Sequence, residues 1–264
     1  MRMITLTKKK VKRLTAIGLL AAATAAAGVG AILTSVGTQA TERQLPVYCV
    51  ERGDNKISLT FDVAWENSNT QELIDILDEY DARATFFVTG DWCDRYPDDV
   101  KMFADAGHEI QNHSDVHPHV KGMNVNDLIT DTKSASQKIK DITGTEPTLY
   151  RAPYGEYDDT VITTVEGMGL TVIQWDVDSL DWKGISASDI SGRVLKNVKS
   201  GSIVLFHNAA ENTPEALPGI IEGLIADGYK IVPVSQILLT GDYTIDNTGM
   251  QCRAKAGSDA KADA

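Results

Sequence analysis

The sequence is poor in cysteine, and its three cysteines lie far apart. Cys49, Cys93 and Cys252 form no CxxC pair and lack the spacing of a zinc knuckle. This pattern argues against a metal–thiolate site. Because Cys49 precedes the first predicted strand and Cys252 follows the last, a disulfide between these two stays open in an oxidising compartment.

Positive charge is also scarce outside the N-terminal region. The first forty residues hold 6 of the 25 Lys and Arg residues and no Asp or Glu, which leaves 19 basic against 37 acidic side chains. A surface this acidic argues against nucleic acid as a partner and suits a neutral or positively charged polymer better.

The one long apolar run lies at the N-terminus. A basic cluster at positions 8–13 precedes an uncharged run, rich in Ala and Gly, from Leu14 to Ala40. About 23 residues from Leu14 to Val36 are enough to span a bilayer, whereas TQA at 38–40 would suit a cleavage site. We therefore predict a signal peptide or a signal anchor over residues 1–40. In both cases the rest of the chain is exported, and it contacts the membrane only if the segment stays uncleaved.

The remaining chain is long enough for one sizeable core and short for two domains, since 42% of the 264 residues are hydrophobic. We predict a linker over residues 41–55, one folded domain over 56–240 and a C-terminal tail over 241–264. The tail is predicted to be disordered because its end contains mainly Ala, Lys, Asp and Gly.

Short β-rich segments alternate with helical periodicity from Lys56 onward, and several helical segments end in glycine. This alternation is typical of a parallel α/β sheet. No dinucleotide-type glycine loop follows the first strand, so we favour a closed or nearly closed barrel over an open sheet. The seven predicted strands cover residues 56–61, 84–89, 109–112, 148–151, 171–176, 202–206 and 230–234.

Reactive side chains follow these strands at their carboxyl ends, where loops of a parallel barrel converge. Asp62 follows the first strand, Arg151 ends the fourth and His207 follows the sixth. His113 and His117 follow the third, and their four-residue spacing places both imidazoles within reach of one metal ion.

Four short motifs at these strand ends resemble those of the polysaccharide deacetylases of the NodB-homology type, also called carbohydrate esterase family 4. They are HSDVH at 113–117, RAPY at 151–154, DSLDW at 178–182 and LFH at 205–207. Each motif is weak alone, but their order at successive strand ends is specific. The resemblance covers about residues 56–239 and implies a distorted (β/α)7 barrel.

The resemblance implies an amide-hydrolysing site. Asp62 would be the general base, held ionised and oriented by Arg151. His207 would protonate the leaving amine, and Asp181 would align its imidazole. Asp178 is left without a chemical role because it could equally cap the following loop.

The same resemblance implies a binding surface and a metal. Tyr154 and Trp182 would offer flat faces to a sugar ring, and the backbone near Tyr154 could share the oxyanion. His113 and His117 would bind a divalent metal ion, with zinc the expected metal.

The first motif departs from the family pattern. The family has T-F-D-D, with the second Asp as a metal ligand, whereas TFDV at 60–63 has Val63 there. Water, substrate or the carboxylate of Asp62 or Glu66 would have to complete the metal site. FDVAW at 61–65 also resembles a subgroup associated with sporulation.

We therefore expect an exported or membrane-anchored, wall-associated deacetylase that acts on N-acetylated amino sugars of peptidoglycan or a chitin-like polymer. A glycan-binding homologue with little activity stays open because of Val63. A barrel metallohydrolase of small molecules is a third possibility.

Overall fold

The computed structural model describes residues 43–254. The described residues from Gln44 onward form one compact unit. The predicted signal segment over residues 1–40 therefore lies outside the described residues. Within 43–254, no helix is both long and apolar enough to cross a membrane.

Eleven strands and seven α-helices are present in the described part. The strands are β1 (Cys49–Val50), β2 (Lys56–Val63), β3 (Thr85–Val88), β4 (Glu109–Asn112), β5 (Leu149–Tyr150), β6 (Thr171–Val172), β7 (Val177–Asp178), β8 (Ile203–His207), β9 (Lys230–Ile231), β10 (Tyr243–Ile245) and β11 (Met250–Arg253). The helices are α1 (Thr70–Glu79), α2 (Gly90–Arg95), α3 (Pro97–Asp105), α4 (Val125–Thr143), α5 (Asp159–Glu166), α6 (Ala187–Asn197) and α7 (Thr213–Ala226).

The main sheet is entirely parallel and has the order β6-β5-β4-β3-β2-β8-β7, with β9 paired to the start of β2. The central strand β2 is buried along almost its whole length, as expected for a parallel strand covered on both faces. The sheet curls into a half-barrel, and the helices lie around it. The predicted distorted (β/α)7 barrel is thus confirmed.

The predicted strand over 171–176 is wrong in extent, because the sheet is interrupted between β6 and β7. The chain leaves β6 at one edge of the sheet and enters β7 at the other. Between them, the Asp176 carboxylate accepts hydrogen bonds from the Ile203 N–H and the Ser202 hydroxyl. These hydrogen bonds hold the segment between β6 and β7 against β8, in place of the strand pairing that a continuous strand over 171–176 would have.

Stacked aromatic rings fill the core between the sheet and its helices. The Phe61 ring centroid lies 4.9 Å from that of Phe86 and 5.4 Å from that of Phe206, so the three rings join neighbouring strands. Phe103 of α3 stacks on Phe86 at 3.9 Å. Such packing contributes beyond simple area burial and holds β2 in a fixed register.

The predicted disordered tail needs correction for the stretch up to residue 253. Strands β10 and β11 form here, and β11 pairs in parallel with β1, inside the predicted linker. The Gln251 side chain accepts a hydrogen bond from the Leu239 N–H. Cys49 lies opposite Met250 in this sheet, and both Cys49 and Cys252 are free thiols, so the structure has no disulfide between them.

Replacing Gln251 with Ala should lower the free energy of unfolding by about 1–3 kcal/mol, because the buried Leu239 N–H would lose its acceptor. Chemical denaturation of the variant and the parent measures this difference. Thr244→Ala on the exposed edge of β10 is the control and should change stability by less than about 0.5 kcal/mol. If Gln251→Ala lowers the free energy of unfolding as little as Thr244→Ala does, β11 is not part of the cooperative fold.

Candidate active site

A buried ion pair lies at the centre of the barrel mouth. Asp62 on β2 accepts a hydrogen bond of 2.7 Å at Oδ1 from Nη1 of Arg151, whose side chain is 0% exposed. Burial alone would raise the pKa of Asp62, but the neighbouring basic groups, Arg151 among them, outweigh burial and hold that pKa below its ordinary value. The carboxylate is therefore ionised at neutral pH.

Two histidines face this carboxylate. Nδ1 of His113 lies 2.8 Å from the Arg151 carbonyl oxygen, so it carries the proton and Nε2 points toward Asp62 Oδ2, 3.5 Å away. The His117 ring centroid is 5.0 Å from that of His113. Burial lowers the pKa of His113, and it lowers that of His117 to about 4. Both imidazoles are neutral at pH 7, which is the form that binds metals.

The loop that carries these histidines is braced by residues that lie outside the sequence motifs. The Asp131 carboxylate on α4 accepts hydrogen bonds from the N–H groups of Asp115 and Val116. Asn112 at the end of β4 accepts the Ser114 N–H and donates to the Thr132 carbonyl. Asn112 directly precedes the motif and could have been noticed. Asp131 is distant in sequence and gave no local signal.

A second acid–base pair lies on the neighbouring strand. Nδ1 of His207 on β8 is 2.8 Å from Oδ1 of Asp181, and Asp181 Oδ2 accepts hydrogen bonds from the His207 N–H and the Thr213 hydroxyl. Burial lowers the pKa of His207, but the hydrogen bond and charge of Asp181 raise it above its ordinary value. In the parallel register His207 is the partner of Asp62. Both pairs therefore open onto one cavity.

The cavity has a volume of about 980 Å³ and an aromatic rim. Tyr154 is 59% exposed and Trp182 is 58% exposed, and each lies in a short 3-10 turn after a strand. Asp178 lines the cavity, and its Oδ1 accepts the Leu180 N–H, so the side chain does cap the turn that presents Trp182.

The structure thus places the predicted catalytic, sugar-binding and metal-binding residues around one barrel mouth. Those with a direct polar contact to another are Asp62, Arg151, His113, Asp181 and His207. His117 joins them through ring contacts with His113 and Tyr154.

The donor set fits a divalent ion only in part. His113 and His117 present neutral imidazoles. The carboxylate oxygen Oδ2 of Asp62 lies 3.5 Å from Nε2 of His113. Val63 is fully buried in the apolar core cluster and supplies no donor. Glu66 lines the cavity. Among residues 43–254, no group of three or more His, Cys, Asp and Glu side chains has the geometry of a metal site.

Comparison with known proteins agrees with this architecture. The family model described as polysaccharide deacetylase matches residues 50–173. A peptidoglycan-N-acetylglucosamine deacetylase of Bacillus cereus is 30% identical over 189 residues, which are 70% of this chain and 69% of that protein. The chain therefore belongs to the polysaccharide deacetylase family. The resemblance to a sporulation-associated subgroup stays a prediction.

Two solved structures frame the range of activity in this fold. A family 4 carbohydrate esterase of Streptomyces lividans in complex with acetate is 32% identical, with a TM-score of 0.64, over 68% of this chain and 93% of that one. A family 4 pseudoenzyme from Bacillus anthracis is 30% identical, with a TM-score of 0.71, over 73% and 68%. A mutant of that pseudoenzyme has restored enzymatic activity.

Replacing Val63 with Asp should strengthen zinc binding at least tenfold, equivalent to about 1.4 kcal/mol, by adding a carboxylate next to Asp62. Titration calorimetry on the metal-stripped parent and variant measures the affinity. Because the new carboxylate enters the apolar core, Val63→Asp should also melt at a lower temperature in chelator and recover stability in zinc. Val63→Asn, which has nearly the same shape but is a poor ligand, should show the loss without the recovery. Unchanged zinc affinity in Val63→Asp would contradict the ligand position.

Proposed function

We propose that this protein is an exported polysaccharide N-deacetylase that hydrolyses the acetamide groups of amino sugars in peptidoglycan or a chitin-like polymer. One observation supports this most: Asp62 paired with Arg151, and His207 paired with Asp181, face the same cavity from adjacent strands in register. A base and an acid are thereby presented to the two sides of one amide bond.

In the first step Asp62 accepts a proton from a water molecule, whose oxygen attacks the acetyl carbonyl carbon. Arg151 stabilises the ionised carboxylate, so the base is ready at neutral pH. The pair is buried, and its orientation is fixed by packing of the guanidinium over the Phe87 ring at 4.1 Å and by a hydrogen bond to the Gln174 carbonyl. The product of this step is a tetrahedral oxyanion.

In the second step His207 donates a proton to the amide nitrogen while the carbon–nitrogen bond breaks, which releases acetate and a free sugar amine. Asp181 accepts a hydrogen bond from the Nδ1–H of His207, so the proton on Nε2 is the one that is delivered to the amide nitrogen. The raised pKa of His207 keeps the donor protonated closer to neutral pH.

The oxyanion has a candidate donor in the turn that follows β5. The N–H groups of Gly155 and Glu156 are used by carbonyls within this turn, so the Tyr154 N–H is the one we assign to the oxyanion. When a divalent ion such as zinc is bound, His113 and His117 would hold it, and it would add polarisation of the acetyl oxygen.

The expected location supports a wall polymer as the substrate. The basic and apolar segment over residues 1–40 would export the domain or anchor it at the membrane. The family relative from Bacillus cereus is a peptidoglycan-N-acetylglucosamine deacetylase. The exposed rings of Tyr154 and Trp182 offer stacking surfaces to neighbouring sugars.

A glycan-binding protein without activity is the alternative function. Val63 in place of a ligand and the likeness to a pseudoenzyme both favour it. Against it, the four residues that carry the proposed acid–base chemistry are present and correctly paired.

Acetate release from N-acetylglucosamine oligomers and peptidoglycan, with and without added zinc or cobalt, separates these functions. The full chain should release acetate, and Asp62→Asn should lower kcat by about 10²- to 10⁴-fold because its base is removed. Binding of peptidoglycan by the parent without any acetate release would establish the alternative. Full activity in Asp62→Asn would remove Asp62 as the base.

The pH profile should depend on the pair formed by His207 and Asp181. His207 acts when protonated, so activity declines as the pH rises through its pKa, which Asp181 raises. Asp181→Asn removes that charge, so the alkaline limb of kcat against pH should move to lower pH and kcat should fall about tenfold or more. Asp178→Asn is the graded control: its charge also raises the pKa of His207, but it makes no hydrogen bond to Nδ1, so the limb should move less than in Asp181→Asn. An unmoved alkaline limb in Asp181→Asn would exclude His207 as the acid.

A further inference from the structure

We propose that Trp65 is a specificity-determining residue that borders the acetamide group and limits the acyl group to acetyl. This inference rests on the proposed deacetylase function. Trp65 belongs to the segment FDVAW at 61–65 and lines the same cavity as Asp62 and His207.

The indole ring lies against both halves of the site. Its centroid is 5.5 Å from that of His117, with an angle of 61° between the ring planes, and 5.8 Å from that of His207 at 58°. A substrate amide placed between the oxyanion side and the acid His207 therefore has Trp65 as a neighbour. The ring is also 46% exposed, so half of its surface is open to a ligand.

The loop that presents Trp65 is anchored on three consecutive carbonyls. The Arg95 guanidinium donates to the carbonyl oxygens of Ala64, at 2.9 Å, and Trp65, at 3.3 Å. Asn208 directly follows His207 in the chain, and its side chain donates a hydrogen bond of 2.5 Å to the Glu66 carbonyl oxygen.

These anchors come from α2 and from the residue after β8, so two separate elements of the barrel hold the backbone that carries the indole. An apolar ring kept half exposed by its backbone is preorganised for contact with a ligand. Trp92, in contrast, is fully buried and serves the core.

The size of the indole gives it an effect on acyl-group selection. A ring within 6 Å of both histidines occupies the space into which a longer acyl chain would extend. Each additional methylene that meets a wall costs about tenfold or more in kcat/KM. Removing the indole should open this space and weaken the contact with the acetyl methyl group.

The test compares kcat/KM for N-acetyl- and N-butyryl-glucosamine oligomers, from acetate and butyrate release. The parent should prefer the acetyl substrate strongly. Trp65→Ala should lower kcat/KM for the acetyl substrate about tenfold and raise the butyryl-to-acetyl ratio about tenfold, with Trp65→Phe between the two. Tyr243→Ala, an exposed aromatic on β10 away from the cavity, should leave the ratio unchanged.

A purely supporting role for Trp65 predicts a different result. If the ring only orients the two histidines, Trp65→Ala would slow both substrates equally, and the unchanged ratio would overturn the proposal. A parent that hydrolyses both substrates equally would also overturn it.

If the parent releases neither acid, the deacetylase function fails, and calorimetric binding of the same two oligomers tests Trp65 separately. Preferential binding of the acetyl oligomer that is lost in Trp65→Ala would support the role of Trp65 in acyl recognition. Equal preference in parent and variant would refute it.

Discussion

The ion pair between Arg151 and Asp62 is the interaction on which the rest of the site depends. A guanidinium that is fully buried needs a charged partner, because an unpaired buried charge costs several kcal/mol. Asp62 satisfies this need and is itself kept ionised. The carbonyl oxygen of Arg151 also accepts a hydrogen bond from the Nδ1–H of His113. One residue therefore fixes the ionisation of the base and the tautomer of the neighbouring imidazole.

The parallel sheet is what brings this pair and its neighbours together. Asp62 and His207 end adjacent strands that are held in register by stacked phenylalanines. Arg151 reaches the same place from β5, three strands away from β2 in the sheet. The groups that we assign to opposite sides of an amide bond thus lie at the ends of rigid strands. The loop that carries His113 and His117 and the turn that carries Trp182 lie beside these strand ends. Hydrogen bonds to the side chains of Asp131 and Asp178 hold this loop and this turn in place.

Much of the barrel could be predicted because buried parallel strands are apolar runs that end in polar residues. This pattern predicts Asp62, Arg151 and His207, each of which lies at or just after the end of such a run. The two-residue strand β7 and the terminal sheet could not be, since short strands have no periodicity and their partners are remote in sequence. Trp65 has the sequence signature of a core residue. Its exposure is decided by tertiary contacts from Arg95 and Asn208, which no local pattern contains.

Val63 separates the ionisation of the base from the binding of a metal ion, which a pair of adjacent aspartates would link. A second carboxylate beside Asp62 would raise the pKa of the base and call for a cation to offset it. With Val63 packed in the core, that repulsion is absent, and the buried guanidinium of Arg151 gives the base a positively charged partner at 2.7 Å. The ionisation of Asp62 therefore does not depend on a metal. What the substitution weakens is affinity for an ion and the oxyanion stabilisation that an ion provides. Under the proposed function, activity would therefore depend on how well the Tyr154 N–H stabilises the oxyanion, because the base is already ionised.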